Sequence, residues 1–241
     1  IYGIVPRQTC YNETGKAPIS LLWIDTNKGD EKHANYRSRI VAREIKARKK
    51  ISERISPEQL FSAMPPLEAF MIILSLFMSW SRLGHKYKSP YKIGIFDISR
   101  AHFYGVARRR VFVDLVEEDK AHFGADKCGL LLKSMYGTQD ASNIWQDDYT
   151  ELLCSGGYRC GASNAAVFYN EEDDVRCLVH GDDFVVLGSQ EAVDKFEKLL
   201  ASKYKYKKLA NLGFSESDSK GATFLNRVII LKDGKPRRLE V

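Results

Sequence analysis

Three carboxylates stand where carboxylates are disfavoured. Asp97 closes the apolar run Ile93-Gly94-Ile95-Phe96, and Asp182 and Asp183 sit together between Cys177-Leu178-Val179 and Phe184-Val185-Val186. Adjacent carboxylates repel, and ionising both beside apolar strands costs free energy unless a cation or solvent compensates. Magnesium takes oxygen ligands, often a few carboxylates together with substrate phosphates. Two such ions stabilise the attacking and leaving oxygens of an in-line phosphoryl displacement. A plainer reading stays open, because Gly and Asp both suit hairpin turns and Gly181-Asp182-Asp183 is a short signal. The metal reading demands that Asp97 and Asp182, distant in sequence, end within a few ångströms of each other.

The elements that must position these acids are strands. Ile93–Ile98 reads as a buried strand ending on its acid. Val175–Val179 and Phe184–Leu187 read as a hairpin turned by His180-Gly181-Asp182-Asp183. Upstream, Ile19–Ile24 and Tyr36–Ala42 are strand-like, Arg43–Glu53 is a charged helix or loop, and Ser56-Pro57-Glu58-Gln59 resembles a helix start. The rest of residues 1–30 shows turn signals. Pro65-Pro66 precedes an apolar helix over 67–82, and Lys86–Lys92 makes a polar connection. Ser99–Ala107 offers one or two helical turns, and Val111–Val116 and Gly129–Met135 read as strands, with Gly137 a break. Apolar spacing predicts a helix over Ala141–Cys154, in which Trp145 and Tyr149 face the core, and Gly156-Gly157 stops it. Ala165–Tyr169 is a strand, Ala192–Ser202 an amphipathic helix, and Thr223–Leu231 one late strand turned by Asp233-Gly234. Hairpin-linked strands mixed with helices predict the α+β class.

Composition narrows the class further. The 241 residues, 44% apolar and 28% charged, exclude a disordered, collagen-like or coiled-coil chain. The formal net charge is +6, and it coincides with the surplus of residues 31–50, where Lys32, Arg37, Arg39, Arg43, Lys46, Arg48, Lys49 and Lys50 face only Glu31 and Glu44. A basic block on a neutral body suits an anionic partner such as a nucleotide or nucleic acid, or makes a solvated basic face. Five cysteines without a Cys-x-x-Cys pair indicate neither a zinc site nor a disulfide framework, and point to a reducing compartment. Ile1–Arg7 lacks a charged start followed by an apolar run, so no signal peptide is expected there. Its most apolar stretch, Leu67–Trp80, is shorter than the ~20 residues a membrane span needs, so no membrane partner is expected.

The order of these pieces resembles the reverse transcriptase domain of copia-type LTR retrotransposons over roughly residues 18–230. Tyr36-Arg37-Ser38-Arg39-Ile40-Val41-Ala42-Arg43 is similar to that family's Lys-Ala-Arg-Leu-Val-Ala segment, and Phe61-Ser62-Ala63-Met64 stands where it has Phe-Ser-Pro-Val. Asp97-Ile98-Ser99-Arg100-Ala101-His102-Phe103-Tyr104-Gly105 resembles Asp-Val-Lys-Thr-Ala-Phe-Leu-Asn-Gly. Leu132-Lys133-Ser134-Met135-Tyr136-Gly137, with Trp145 beyond it, resembles Lys-Ser-Leu-Tyr-Gly-Leu-Lys-Gln-Ala-Pro-x-x-Trp. His180-Gly181-Asp182-Asp183 stands for Tyr-Val-Asp-Asp, and Phe224-Leu225-Asn226 echoes Phe-Leu-Gly. The departures lie on the substrate side. The aromatic that excludes a ribose 2′-hydroxyl is His102 here, and Leu-Lys-Gln-Ala-Pro becomes Thr138-Gln139-Asp140-Ala141-Ser142, a base lost and an acid gained.

The resemblance implies a single domain over 1–241 with right-hand polymerase architecture. Residues 1–90 would be mainly fingers, 91–188 mainly palm with an antiparallel sheet packed on helices, and 189–241 the palm end and the start of a thumb. It implies RNA-directed DNA polymerase activity with Asp97, Asp182 and Asp183 as catalytic residues. Those acids and the Ile98 carbonyl would hold Mg²⁺, with Mn²⁺ as a possible substitute. Arg37 and Arg39 would face the triphosphate, and His102, Tyr136, Gly137 and Gln139 the rest of the nucleotide. Deoxynucleoside triphosphates and an RNA/DNA primer–template would be the partners. The chain would be a piece of a polyprotein with integrase and ribonuclease H, in a cytoplasmic particle or the nucleus. Two alternatives remain. One is a catalytically decayed nucleic-acid-binding remnant that keeps the basic block and Lys203-Tyr204-Lys205-Tyr206-Lys207-Lys208, itself readable as a lysine-protected edge strand. The other is a template-independent nucleotidyl transferase.

Overall fold

The computed structural model describes residues 1–27, 29–30, 32–44, 55–83, 90–232 and 238–241. Most of the charged segment Arg43–Glu53, the upper half of the basic block (Lys46, Arg48, Lys49, Lys50), most of the polar connection before Lys92, and the Asp233-Gly234 turn lie outside the described residues. In chain order the elements are β1 (Tyr2–Pro6), α1 (Arg7–Thr14), β2 (Leu21–Asn27), β3 (Tyr36–Ala42), α2 (Pro57–Leu60), α3 (Leu67–Leu83) and β4 (Tyr91–Ile98). A 3-10 turn at Ala101–Phe103 leads to β5 (Phe112–Val113), α4 (Glu117–Phe123), β6 (Lys127–Leu131), α5 (Ala141–Ser155), β7 (Arg159–Cys160), β8 (Val167–Asn170), β9 (Val175–His180) and β10 (Asp183–Ser189). The last elements are α6 (Gln190–Ala201), β11 (Tyr206–Leu212), β12 (Gly221–Phe224), β13 (Arg227–Lys232) and β14 (Arg238–Glu240). Among the described residues every pair of these strands is antiparallel, and the class is α+β. No helix among the described residues is long and apolar enough to cross a membrane. The chain forms two compact units.

The first unit comprises Ile1–Ser62 and His102–Asp148. Its three-stranded sheet has the order β1-β6-β5. Cys10, the only buried residue of α1, packs with Phe112 and Cys128. Ala42, Val111, Val113, Leu131 and Met135 form a second core that also takes Leu21 and Ile40 from the β2–β3 hairpin. Only the root of that hairpin is held, because Leu22–Asn27 and Tyr36–Arg39 are exposed. Two expected strands are shorter than their apolar runs. The run Val111–Val116 yields β5 alone, since the Asp114 amide turns away to the Ile19 carbonyl at 2.8 Å. The run Gly129–Met135 gives way after Leu131, where Ser134 donates instead to Gly105 at 2.9 Å.

The second unit comprises Ala63–Ala101 and Tyr149–Val241. A six-stranded sheet, order β11-β4-β10-β9-β8-β7, runs through it. Alternation divides β4 between two cores. Tyr91, Ile93 and Ile95 join Val185 and Leu187 of β10, Phe70, Ile73, Leu74 and Phe77 of α3, and Phe224, Ile229 and Leu231. Phe96 points the other way and meets Phe196 of α6, as does Phe184, which also meets Tyr149 of α5. Gly94 is required by that second face, since a Cβ there would lie 2.9 Å from Val193 and 2.8 Å from the Phe96 ring. Thr223–Leu231 is a hairpin rather than one strand. Leu225 and Asn226 form its two-residue turn with φ of 50° and 59°, the backbone of a primed turn without the glycine that normally announces one.

Candidate active site

The strand register brings the three carboxylates together. Asp183 opens β10 opposite Asp97 on one side and His180 on the other. The Ile98 amide donates to the Asp182 carbonyl at 2.9 Å, tying the hairpin turn to the end of β4. Gly181 turns the hairpin at φ 65°. A Cβ there would meet open space, so backbone conformation and not room favours glycine. One oxygen from each of Asp97, Asp182 and Asp183 lies within 4.8 Å of the others, and all three residues are half-buried. Partial burial, with the charges of Asp182 and Asp97 beside it, pushes the Asp183 carboxyl up to about 7. Three hard oxygen donors this close together, each a carboxylate, fit a divalent cation such as Mg²⁺ or Mn²⁺. Ile98 itself is fully buried, and its backbone is the part adjacent to the cluster.

Residues 180–183 and the hairpin tip 223–226 line an open cavity of about 590 Å³ beside the acids. Phe224 lies edge-on to His180, with ring centroids 6.4 Å apart. Nothing in the local sequence pattern places Thr223 or Leu225 near the acids. Their signal was the turn between β12 and β13, hidden by the absence of glycine.

The residues expected to face the nucleotide belong to the first unit. Arg37 and Arg39 are exposed and alternate on one face of β3. The Arg39 guanidinium lies 5.9 Å from the centre of the Tyr136 ring. His102 and Phe103 meet the same ring edge-on, at 4.5 and 5.4 Å between centroids. The His102 Nδ1 lies 3.1 Å from the Ala141 carbonyl. Arg39, His102 and Tyr136 therefore form one cluster of a cation and aromatic faces.

Gly137 and Gln139 are held by the fold. Tyr136 accepts a 2.7 Å hydrogen bond from the Ala42 amide. Gly137, at φ 84°, runs so close to β3 that a Cβ would lie 2.0 Å from the Ala42 carbonyl. The Gln139 amide donates to Glu44 at 2.8 Å. The acid gained in this motif has its own cation: Arg109 grips Asp140 with two bonds of 2.9 Å and Glu44 with bonds of 2.7 and 2.5 Å. Burial opposes the charge on Arg109, but these two carboxylates outweigh it and hold the guanidinium above its ordinary range. Asp140 is thus neutralised within the unit. Trp145 and Tyr149 are buried core residues.

A family model described as reverse transcriptase (RNA-dependent DNA polymerase) matches residues 8–216. Among solved structures, apo telomerase from Candida tropicalis truncated from its C-terminal domain is similar, at 12% identity and a TM-score of 0.46. The match covers 95% of this chain and 55% of the telomerase chain. No curated protein matches the sequence.

Proposed function

The chain belongs to the copia-type reverse transcriptase (RNA-dependent DNA polymerase) family, and from that premise we propose that it extends a primer 3′ end by metal-dependent nucleotidyl transfer as part of a retrotransposon polyprotein. The convergence of Asp97, Asp182 and Asp183 carries the reading. In the proposed reaction a bond forms between the primer 3′-oxygen and the α-phosphorus of a deoxynucleoside triphosphate, and the bond to the β-phosphate oxygen breaks to release pyrophosphate. Divalent ions would supply Lewis-acid stabilisation of the attacking and leaving oxygens.

Every other role falls to the chain. Asp97 and Asp182 would hold the cations, assisted by Asp183 and the Ile98 carbonyl. Arg37 and Arg39 would offset charge on the triphosphate. Tyr136 and His102 would pack against the sugar and base. The division into fingers over 1–90, palm over 91–188, and palm end with the start of a thumb over 189–241 belongs to the same proposal. So do integrase and ribonuclease H as partners, and an intracellular, reducing location.

The test is primer extension on an RNA template with Mg²⁺ or Mn²⁺, comparing wild type with Asp182→Ala. Template-dependent extension that the variant loses is the expected result. Transfer without a template would favour a terminal transferase, and binding without extension a catalytically silent nucleic-acid-binding domain.

A further inference from the structure

The first unit holds a cavity of its own, of about 640 Å³. Its walls come from the end of α1 and the turn after it, the root of the β2–β3 hairpin, and the segment leading into β5. Arg37, Arg39, His102 and Tyr136, assigned above to the incoming nucleotide, are not among its described lining. The lining has two characters. Pro18, Val111 and Phe112 are buried and Ile19 half-buried, whereas Arg43 and Arg110 are exposed, so an apolar wall lies deeper than the charge. Lys16, Arg43, Arg109 and Arg110 line the cavity against two acids, Glu13 and Glu44. Both acids are already gripped. Arg110 bonds Glu13 through two of its N–H groups, at 2.6 and 2.7 Å, and Arg109 is spent on Glu44 and Asp140. A guanidinium has five N–H donors, so Arg110 keeps others for a ligand. Arg43 forms no ion pair with another described residue. Its amide donates to the Ser20 carbonyl at 3.0 Å, which fixes its place on the cavity wall.

We propose that this cavity binds a nucleoside monophosphate unit, free or within a single strand. Its phosphate lies on Arg43 and Arg110, and its base lies against Pro18, Ile19 and Val111. A lining with more cations than acids selects an anion, and arginine forks meet phosphate oxygens two at a time. The volume falls in the range of small-molecule sites and exceeds what a bare phosphate fills, so the ligand carries a body. That body meets apolar walls, which suits the face of a planar base. The choice of a nucleotide among amphipathic anions rests on the polymerase reading, under which nucleotides and strands are the anions this chain meets.

The test is calorimetric titration of the whole chain with adenosine monophosphate, beside inorganic phosphate and a short oligoadenylate strand. Chelator keeps metal from the carboxylate cluster, and an Arg37→Gln/Arg39→Gln background silences the arginines assigned to the triphosphate. The monophosphate should bind more tightly than inorganic phosphate. Arg43→Gln should weaken it roughly five- to tenfold, the worth of about one charge-assisted hydrogen bond. Ala17→Glu, which sets an acid on an exposed part of the lining, should weaken it as much, and both variants should melt as their parent does. Tighter binding of the strand supports the site as one for a unit of nucleic acid, and tighter binding of the monophosphate supports a free nucleotide. Equal affinity for inorganic phosphate and monophosphate overturns the proposal, as does binding indifferent to both substitutions, or no binding. Each of those failures leaves the polymerase standing, because primer extension is read separately. A chain that binds the monophosphate here and extends no primer keeps the cavity and loses the polymerase.

Discussion

Two hairpins carry the acids and the arginines singled out for the site, Asp182 and Asp183 on one and Arg37 and Arg39 on the other, and they are held differently. In β9–β10 the acids sit at the turn of a hairpin paired on its outer edges as well, with β4 against β10 and β8 against β9. The strands feeding the turn are buried. The β2–β3 hairpin is a two-stranded sheet of its own, held by its root, and its arginines lie along exposed strands. A ladder on both sides would fix oxygens to the tolerance a metal demands, whereas arginines proposed to meet phosphate through long side chains would need only a rooted support. Burial buys that precision with repulsion, visible in the raised Asp183 carboxyl.

The comparison breaks most easily at the acids. Asp182→Ala should lower primer extension by at least ~10²-fold, read in single-turnover assays, while the metal-free variant melts no lower than wild type. Comparable extension by the variant would remove the buried hairpin from the chemistry. The glycines separate conformation from space. Gly137→Ala, strained at φ 84° and driven into the Ala42 backbone, should cost about 2–3 kcal/mol in denaturant unfolding. Gly181→Ala, strained but unobstructed, should cost about 1 kcal/mol. Equal losses would mean that the root contact with Ala42 does not hold the hairpin.

A pH series sharpens the electrostatic half. The folded Asp183 carboxyl lies near 7 against an ordinary value of 3.8, so between those values the folded chain binds more protons than the unfolded one. Metal-free stability should therefore fall as pH rises from about 4 to about 7, by about 1–2 kcal/mol once solvent screening of a half-exposed group is allowed for. Asp183→Asn should flatten that slope, and Mg²⁺ should stabilise wild type more at high pH than at low; identical slopes for the two proteins would contradict the account. The smallest effect belongs to the exposed hairpin. Arg37→Glu with Arg39→Glu should leave the melting temperature nearly unchanged while weakening nucleotide or primer–template binding, with a reduced salt dependence. Unchanged affinity would return both arginines to the solvated face.

The buried hairpin was the more legible of the two regions. An apolar run ending in an acid, and two apolar runs flanking Gly-Asp-Asp, carry their register in their own pattern. Trp145 and Tyr149 announced their burial by helical spacing. The elements β1, α1 and α4 gave no such signal, because α1 buries only Cys10 and α4 buries nothing. The Leu225-Asn226 turn was hidden because tertiary packing, not glycine, sustains its backbone. Nor could the balance of Asp140 be read locally, since Arg109 and Glu44 reach it from distant parts of the chain.

Strand β4 has a consequence for how the chain is made. Both of its neighbours, β10 and β11, lie downstream of α5. During synthesis at ~5–20 residues per second, the eight residues Tyr91–Ile98 wait roughly 5–20 s for partners, while the local β2–β3 pairing has long been available. Over that interval the nascent chain presents an apolar strand with open edges on both sides, the kind of segment that recruits chaperones or other strands. A shortened chain ending before Leu212 would leave β4 short of part of its β11 partner, turning the strand that bears Asp97 toward the role of a sheet edge.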